Sequence, residues 1–492
     1  MEATQAPPAA VPATIATSRG REILQSDGAA LVAMFLAIGV YYLLPGLATA
    51  AVGAAAFIAL AIWKPHLTPI PIVAGMALFA RPRAIGRYVF PLDEFLIFAA
   101  VGAWALRDGL AWLRAKDPLG RVVPVLRDAV RHPFAWAAAG FLVAGVLSLV
   151  LPHPSHRAEA LREFRWTIVE PVLFFALLAR YVRTERDILR ILTAFLVSCA
   201  LNAQVGVDQY LSGNTWSMEG VGRAIGLYTG ATAFGIFVGR GLAIAAALAI
   251  FLPPANETLR RHRWAYMLLC VPLALGMVFS FTRGAWIGVF VAIVGIAALA
   301  RARRVLIPTL GVAVAGFAAL LIIFRGAERF SLTGSSNLSR FAIWRPAWAI
   351  IKDHPLTGIG LDQFLYQDPA YGIPNTRFQT VNHPHNLLLD AWLRLGVWGL
   401  ALVLALLAVY FLSGLRAYRG RRGTVVGGLV LALLAGMIDY VVHGMVDQAY
   451  FTQDLALSFW MMLGLLGAIL RMGPAGAPPG TTAIPAVAAA PM

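Results

Sequence analysis

Long apolar blocks separated by short basic loops constrain this chain more than any other feature of its sequence. An α-helix needs about 20 mostly apolar residues to cross a hydrocarbon core about 30 Å thick. The candidate spans are 29–45, 47–63, 69–80, 92–106, 133–151, 167–182, 187–207, 226–252, 264–281, 285–300, 305–324, 386–412, 424–445 and 453–470. The short block 69–80 could instead be re-entrant or interfacial, so we expect about 12–14 spans. The sequence therefore predicts an all-α polytopic integral membrane protein.

Composition excludes several other classes of protein. Hydrophobic residues make up 59% of the chain and charged residues only 13%, whereas soluble domains are about 25% charged. This shortfall excludes an ordinary soluble enzyme, a disordered protein and a fibrous protein. The formal net charge of +16 does not indicate a nucleic-acid partner, because most basic residues lie in short loops where they set membrane topology. The expected partner is the lipid bilayer.

The chain divides into membrane helices, one large loop and two tails. Residues 1–26 and 472–492 are rich in Pro, Ala and Gly, and we expect them to be disordered and cytoplasmic. Residues 27–324 hold most of the transmembrane helices, and 386–471 hold the last three. The segment 325–385 between them is the sizeable loop, and apolar residues at helical spacing predict amphipathic helices within it.

The distribution of arginine predicts the orientation of the chain. With the N-terminus in the cytoplasm, the main basic clusters all fall on the cytoplasmic side, as the positive-inside rule expects. These clusters lie at 107–131, 180–190, 260–263, 301–304 and 416–422. The large loop then lies on the outer side. Arg81, Arg83 and Arg87 also fall outside, against the rule, so either the block 69–80 does not span or these arginines have another role there.

The strongest local motif stands where the large loop meets the next apolar block. His383 and His385 precede Asn386, and Gly396 and Gly399 follow at a spacing that places them near one helix face below His385. Small residues there would let another helix approach closely. The pattern predicts an imidazole suited to proton transfer; the alternative is an interfacial histidine that caps a helix. The two histidines alone define no metal site, so we expect none.

Arginines at outer helix ends form a second motif. Arg223 and Arg283 lie on the side that the positive-inside rule leaves poor in positive charge. Guanidinium groups bind phosphate oxygens bidentately, so a lipid diphosphate would suit them. The alternative is contact with lipid headgroups.

Three ionisable residues near the end of a late apolar block form a third motif. Asp439, His443 and Asp447 are spaced i, i+4 and i+8, so a continuous helix would place them on one face. Such residues normally face the bundle interior or a water-filled cavity. They could support a reaction site or form a structural polar seam.

Several common chemistries are absent from the sequence. It contains no Walker loop, no dinucleotide glycine fingerprint, no HExxH and no Gly-x-Ser-x-Gly. Nothing indicates nucleotide hydrolysis, so any group transfer must use a substrate that is already activated. We expect no cofactor.

Taken together, these motifs resemble the O-antigen ligase and polymerase superfamily of bacterial envelope polysaccharide assembly. The stretches that carry the likeness are 223–226, 282–286, 340–360 and 383–399, with 442–447 similar as well. The resemblance implies a GT-C-like helical bundle with one large periplasmic loop in the bacterial inner membrane. It also implies metal-independent transfer of a glycan from undecaprenyl diphosphate to an acceptor hydroxyl on the periplasmic side.

The resemblance also implies roles for individual residues. His385, with Asn386 in the same motif, would be the catalytic group that activates or orients the acceptor. Arg223, Arg283 and Arg340 would bind the donor diphosphate, with Arg340 acting from the loop.

Several functions stay open on the sequence alone. A ligase would transfer a finished glycan to an acceptor glycolipid such as lipid A–core, and the complete His-Asn-x9-Gly-x-x-Gly pattern favours it. A polymerase would extend a growing lipid-linked glycan, and other members glycosylate proteins. A membrane transporter is the alternative outside the enzymes, because intramembrane Asp439, His443 and Arg240 would suit ion coupling.

Overall fold

The computed structural model describes residues 26–86, 88–114, 127, 130–218, 220–323, 335–373 and 381–473. The tails expected to be disordered, and parts of the large loop, lie outside the described residues. In chain order the α-helices are α1 (Asp27–Leu43), α2 (Leu47–Trp63), α3 (Pro69–Gly75), α4 (Leu92–Leu113), α5 (Ala135–Val150), α6 (Arg157–Phe164), α7 (Glu170–Tyr181), α8 (Glu185–Leu211), α9 (Ala231–Phe251), α10 (Glu257–Phe279), α11 (Arg283–Leu299), α12 (Arg303–Ile323), α13 (Ser335–Asp353), α14 (Asp368–Tyr371), α15 (Leu387–Arg419), α16 (Val425–Gly444) and α17 (Gln453–Arg471).

Short elements join these helices. Strands β1 (Arg83–Ile85) and β2 (Tyr88–Phe90) form one antiparallel hairpin, and β3 (Trp216–Met218) and β4 (Val221–Arg223) form another. A π-helical turn, Arg165–Val169, connects α6 to α7, and single 3₁₀ turns stand at Pro65–Leu67, Met76–Leu78 and Phe364–Gln367. Among the described residues the fold is therefore almost entirely α-helical, as the apolar blocks predict.

Within the described part of the chain, six helices are long and apolar enough to cross a membrane: α8, α9, α10, α15, α16 and α17. Helix α2 and the segment Pro65–Leu78 pass the same test together, but they are bent by 108°, as in a broken span or a re-entrant loop. The sequence leaves open whether block 69–80 spans the membrane or is re-entrant or interfacial, and the bend fits either a broken span or a re-entrant loop. The sequence count of about 12–14 is larger because it includes shorter apolar helices such as α1, α5 and α11. The polytopic all-α membrane fold is confirmed.

Burial separates central helices from peripheral ones. In the most apolar stretch of α17, 94% of the residues are buried by other parts of the protein, whereas in α10 the share is 22%. Helix α10 exposes Trp264, Leu268 and Val271. In a membrane such a face contacts lipid, because hydrocarbon is as apolar as these side chains. Helices α9, α16 and α17 therefore form the centre, and α10 lies at the periphery.

The arginines that opposed the positive-inside pattern bind backbone carbonyls. Arg83 is buried and donates from Nη2 to the carbonyl oxygens of Leu44 and Gly46 at 2.9 Å each, in the turn between α1 and α2. Arg81 Nε donates to the carbonyl of Leu227 at 3.0 Å. Arg87 lies outside the described residues. Arg81 and Arg83 thus have a structural role: they donate hydrogen bonds to backbone carbonyls that lie between helices. The positive-inside rule, which considers only loop charge, does not take this role into account.

Helix α15 is broken at Gly396, which corrects the expected close approach of a second helix. Gly396 has φ 70° and ψ −175°, and the turn 356–360 packs into the break. The backbone N–H of Val397 donates to the carbonyl of Leu356 at 3.2 Å. A Cβ at Gly396 would lie 2.2 Å from that carbonyl oxygen, and one at Gly399 would lie 2.1 Å from Cβ of Leu395 in the same helix. Gly396 therefore allows the backbone to turn and the 356–360 segment to pack into the break, and Gly399 leaves room for the Leu395 side chain.

We expect Gly396→Ala to destabilise the protein. Its φ and ψ belong to a region that only glycine adopts readily, so the strain costs about 1–3 kcal/mol, and the added methyl group would meet a backbone carbonyl. The measurement is the Tm of the detergent-purified protein.

The matched control is Gly102→Ala in α4. A Cβ at Gly102 meets nothing within 4 Å, and alanine is favoured over glycine inside helices. An unchanged Tm for Gly396→Ala would contradict the strained break.

Candidate functional site

Asn386 ties the start of α15 to the end of α16. Asn386 is the N-cap residue of α15, and its Oδ1 accepts hydrogen bonds from the backbone N–H groups of Leu388 at 3.0 Å and Leu389 at 3.1 Å. Its Nδ2 donates to the carbonyl of Met445 at 3.0 Å. Asn386 is therefore a positioning residue: it holds the neighbouring His385 close to the 445–447 segment.

His385 and Asp447 form a hydrogen-bonded pair at this junction. Nδ1 of His385 lies 3.0 Å from Oδ1 of Asp447. In the neutral imidazole, Nδ1 must then carry the proton and Nε2 the lone pair, because an ionised carboxylate only accepts hydrogen bonds. His385 has φ 51°, a conformation that non-glycine residues adopt at a cost and that recurs at functional sites. A carboxylate placed in this way sets the tautomer of an imidazole, whose other nitrogen can then accept a proton.

Asp447 lies beyond the end of α16, which corrects the predicted helix face. The helix ends at Gly444, so only Asp439 and His443 share a helical face, and both are buried. Asp447 instead sits in the segment that follows, where its side chain turns toward His385. The three residues do not form one seam; the chain bends and brings the third of them to the histidine motif.

The surroundings of Asp447 keep it ionised. Burial by itself would raise the pKa of Asp447, but the imidazoles of His383 and His385 hold that pKa well below its usual range. Burial, reinforced by the His385 imidazole, lowers the pKa of His383, so that its ring is neutral at pH 7. A charged carboxylate thus stands between two imidazoles at neutral pH.

Arg340 supports Asp447 from helix α13. Its Nε donates to the carbonyl of Val446 at 2.7 Å, and its Nη2 lies 3.4 Å from Oδ2 of Asp447. On the same helix, Nε1 of Trp344 donates to the carbonyl of Pro384 at 2.9 Å. Helix α13 therefore holds both halves of the His385–Asp447 pair. The resemblance implies that Arg340 binds the donor diphosphate, and that role stays a prediction; the contacts seen here position the Asp447 carboxylate.

Arg223 is buried against the turn that starts α11. Its Nε donates to the carbonyl of Ser280 at 2.8 Å, and its Nη2 lies 3.2 Å from Oγ1 of Thr282. The next residue, Arg283, opens α11. Arg223 thus fixes the turn that immediately precedes Arg283. The resemblance implies that both arginines bind the donor diphosphate, and that role stays a prediction; these contacts of Arg223 are made to the turn.

Close packing joins the Arg283 turn to the histidine motif. A Cβ at Gly284 would lie 2.8 Å from the His443 ring and 3.2 Å from the Val446 side chain. The start of α11 therefore rests directly on the end of α16 and on the segment that carries Asp447. Arg223, Arg283, Arg340, His385, Asn386, His443 and Asp447 consequently lie in one continuous set of contacts. Gly396 and Gly399 lie apart from it, at the break in α15.

Arg240 and Asp439 lie deeper in the bundle. Arg240 of α9 is buried, donates to Oγ of Ser458 and stacks over the Tyr440 ring at 5.0 Å from its centroid. A Cβ at Gly288 of α11 would lie 2.5 Å from Oδ1 of Asp439. Asp439 faces the bundle interior, as predicted, and Arg240 is buried there as well. They join α9, α11, α16 and α17 below the junction.

A buried ion network supports the motif and was missed by sequence reasoning. Arg394 in α15 donates to Asp390 at 2.6 Å and to both carboxylate oxygens of Glu163 in α6. Its Nη2 also donates to the carbonyl of Asn382 at 3.1 Å, just before the first histidine of the motif. The available signal was an Asp and an Arg at i, i+4 within an apolar block. The partner on α6 could not be read from spacing.

We expect Arg394→Ala to lower stability strongly. It would leave two buried carboxylates, Asp390 and Glu163, without their counter-charge, and breaking a buried pair costs about 3–5 kcal/mol. The measurement is the Tm in detergent. The matched control is Arg162→Ala, because Arg162 pairs with Asp362 at 3.2 Å with half of its side chain exposed. That loss should cost about 0–1 kcal/mol. Equal shifts for the two variants would contradict the network.

His383, His385 and Asp447 are also the described residues that could share a metal ion. One ligand atom from each lies within 4.8 Å of the others. The sequence expectation of no metal rested on there being only two ligands, and the tertiary structure adds a third.

Comparison with known proteins gives one finding that bears on identity. A family model described as O-antigen ligase matches residues 265–404, and no curated protein matches the chain. The matched stretch runs from α10 into α15 and includes Arg283, Arg340 and His385. Arg223 and Asp447 lie outside it and reach the same site through contacts. With its bundle of apolar helices, this chain is a multi-pass membrane protein, and its residues 265–404 are similar to the O-antigen ligase family.

Proposed function

We propose that the protein transfers a glycan from undecaprenyl diphosphate to the hydroxyl of an acceptor glycolipid, at the periplasmic face of the bacterial inner membrane. The observation that carries this proposal is the 3.0 Å contact between Nδ1 of His385 and the ionised Asp447. It leaves Nε2 of His385 as a base at a junction that packs on the start of α11.

In the proposed reaction, His385 acts on the acceptor. Its Nε2 takes the proton of the acceptor hydroxyl as the oxygen attacks the anomeric carbon, which raises the rate by about 10²–10⁴-fold. The imidazolium that forms is stabilised by Asp447, which does not itself need to be protonated. Arg340 of α13 and Asn386 at the start of α15 keep His385 and Asp447 in position relative to each other.

Arg283 acts on the donor in the same step. The bond between the anomeric carbon and the diphosphate oxygen breaks while the new glycosidic bond forms, and negative charge passes to the leaving diphosphate. Arg283 and the N-terminal end of α11 stabilise that charge, since a guanidinium and a helix N-terminus both favour phosphate. Arg223 holds the turn from behind. A single displacement of this kind inverts the configuration at the anomeric carbon.

The placement of these groups favours transfer over transport. His385, Asp447 and Arg283 stand at the ends of helices, beside loops, where a lipid-linked headgroup and an acceptor could both reach them. Transporter sites lie near the midplane, at interrupted helices related by internal repeats. A polymerase that extends lipid-linked repeat units would use the same groups and differ only in its acceptor.

We expect His385→Ala to lower glycan transfer at least about 100-fold, and Asp447→Asn at least about tenfold, because the base or its orientation is lost. The assay uses the protein in liposomes with undecaprenyl-diphosphate oligosaccharide of one length, with and without a lipid A–core acceptor. The control is His354→Ala, since His354 is exposed in the same external segment. Near-normal transfer by His385→Ala would remove the base from the mechanism.

The same assay separates the two enzymatic functions by their products. A single new band that requires the lipid A–core acceptor supports the ligase. A ladder that forms without that acceptor would replace the proposal with a polymerase. Absence of any glycan product with the wild-type protein, under conditions that preserve its fold, would overturn both.

We expect Arg283→Ala to raise the KM for the donor about 10- to 100-fold, because a charge-assisted hydrogen bond contributes about 1.5–3 kcal/mol. Arg283→Lys should lie between the variant and the wild type, since lysine keeps the charge but lacks the bidentate geometry. Initial rates at varied donor concentration give KM and kcat separately. A KM for Arg283→Ala equal to that of the wild type would contradict the role in donor binding.

A further inference from the structure

We propose that His383, His385 and Asp447 form a binding site for a transition-metal ion such as Zn²⁺, and that the ion inhibits transfer. The binding part stands on geometry alone, whereas the inhibition rests on the proposed role of His385 as the base. The three ligand atoms lie within 4.8 Å of one another. They come from two segments that are far apart in sequence and meet at the ends of α15 and α16.

The separations fit a single small ion. Nδ1 of His385 lies 3.0 Å from Oδ1 of Asp447, and Nε2 of His383 lies 3.8 Å from the same oxygen. An ion with bonds of about 2.0–2.1 Å in tetrahedral geometry separates its ligand atoms by about 3.3 Å. The two distances to Asp447 lie on either side of this value, and the separation between the two imidazole nitrogens is within 4.8 Å. Movement of the two rings toward a common centre would complete the site.

The surroundings orient the ligands as a metal site requires. Nδ1 of His383 lies 2.6 Å from Oδ1 of Asn382, which turns Nε2 toward Asp447. Metal-binding histidines commonly use their second nitrogen in this way. Nε2 of His383 is buried and has no hydrogen-bond partner among the described residues, a state that a bound ion would relieve. Arg340 holds the other carboxylate oxygen of Asp447.

Ligand type selects the class of ion. Two imidazoles and one carboxylate suit Zn²⁺, Co²⁺, Ni²⁺ or Cu²⁺, whereas Mg²⁺ and Ca²⁺ prefer oxygen ligands only. The side chains of His383 and His385 are 14% and 24% exposed, so an ion has access from outside. Three protein ligands leave a fourth position for water.

Metal binding would remove the proposed base. The ion takes the lone pair of Nδ1 of His385, so the single proton of the neutral ring moves through solvent from Nδ1 to Nε2. Nε2 then has no lone pair with which to accept the proton of the acceptor hydroxyl. Asp447 is meanwhile engaged by the ion and no longer stabilises an imidazolium. Transfer therefore stops without any change of fold.

The first measurement is metal binding. The wild-type protein, purified in detergent without a polyhistidine tag and treated with a chelator, is titrated with Co²⁺ and then with Zn²⁺. We expect one equivalent of Co²⁺ to give the visible absorption of a tetrahedral ion and Zn²⁺ to displace it. Mg²⁺ should leave the absorption unchanged.

Two variants at His383 and one control test the site. His383→Ala and His383→Gln should each bind Zn²⁺ at least about tenfold more weakly, because one of three ligands is lost. The control His354→Ala, which removes an exposed histidine outside the cluster, should bind as the wild type does. Wild-type affinity in the His383 variant that keeps its Tm would overturn the site.

The second measurement is transfer in the liposome assay with and without Zn²⁺. We expect Zn²⁺ at saturation to lower wild-type transfer at least tenfold, reversibly on chelation, and to have little effect on transfer by the His383 variants. If Zn²⁺ binds in a His383-dependent way but transfer is unaffected, the inhibition is overturned and the binding site stands. If the wild type shows no transfer at all, the proposed function fails while the absorption titration still decides the metal site.

Discussion

The contact between the start of α15 and the end of α16 is the constraint on which the site depends. Asn386 caps α15 and reaches the carbonyl of Met445, and His385 reaches Asp447. The histidine and the carboxylate belong to segments that no local interaction would bring together. A single junction thus fixes the tautomer of His385, the charge of Asp447 and the position of both relative to α11.

The rest of the structure holds this junction from three sides. Helix α13 reaches Asp447 through Arg340. The ion network of Arg394 restrains the segment before the histidines from within the bundle. Helix α11 closes the third side, where a glycine lets its first turn rest on the end of α16. The proposed base and the proposed phosphate-binding turn therefore lie next to each other on well-packed helices, and group transfer depends on such fixed positioning of the reacting groups.

Much of the fold and part of the site follow from the sequence. Apolar block lengths predict the helices because the bilayer imposes one length and one hydrogen-bonding solution. The boundaries of the apolar blocks also place His385 at the start of one predicted helix and Arg283 at the start of another. Sequence reasoning failed where it assumed continuous helices: Gly396 interrupts α15 and Asp447 lies past the end of α16. A positive φ and a helix end depend on tertiary contacts, here the inserted turn at Leu356 and the Asn386 cap, which spacing does not reveal.

The sequence by itself determined the membrane class, the helical architecture and the residue types available for chemistry, since these depend on composition and local periodicity. The tertiary structure alone decided which of those residues lie together. It packed Arg223 against Thr282, placed Arg340 beside Asp447 and brought Asp447 to His383 and His385. The physical reason is that hydrogen bonds and ion pairs are made at about 3 Å, and only the packing of distant segments brings two side chains to that distance.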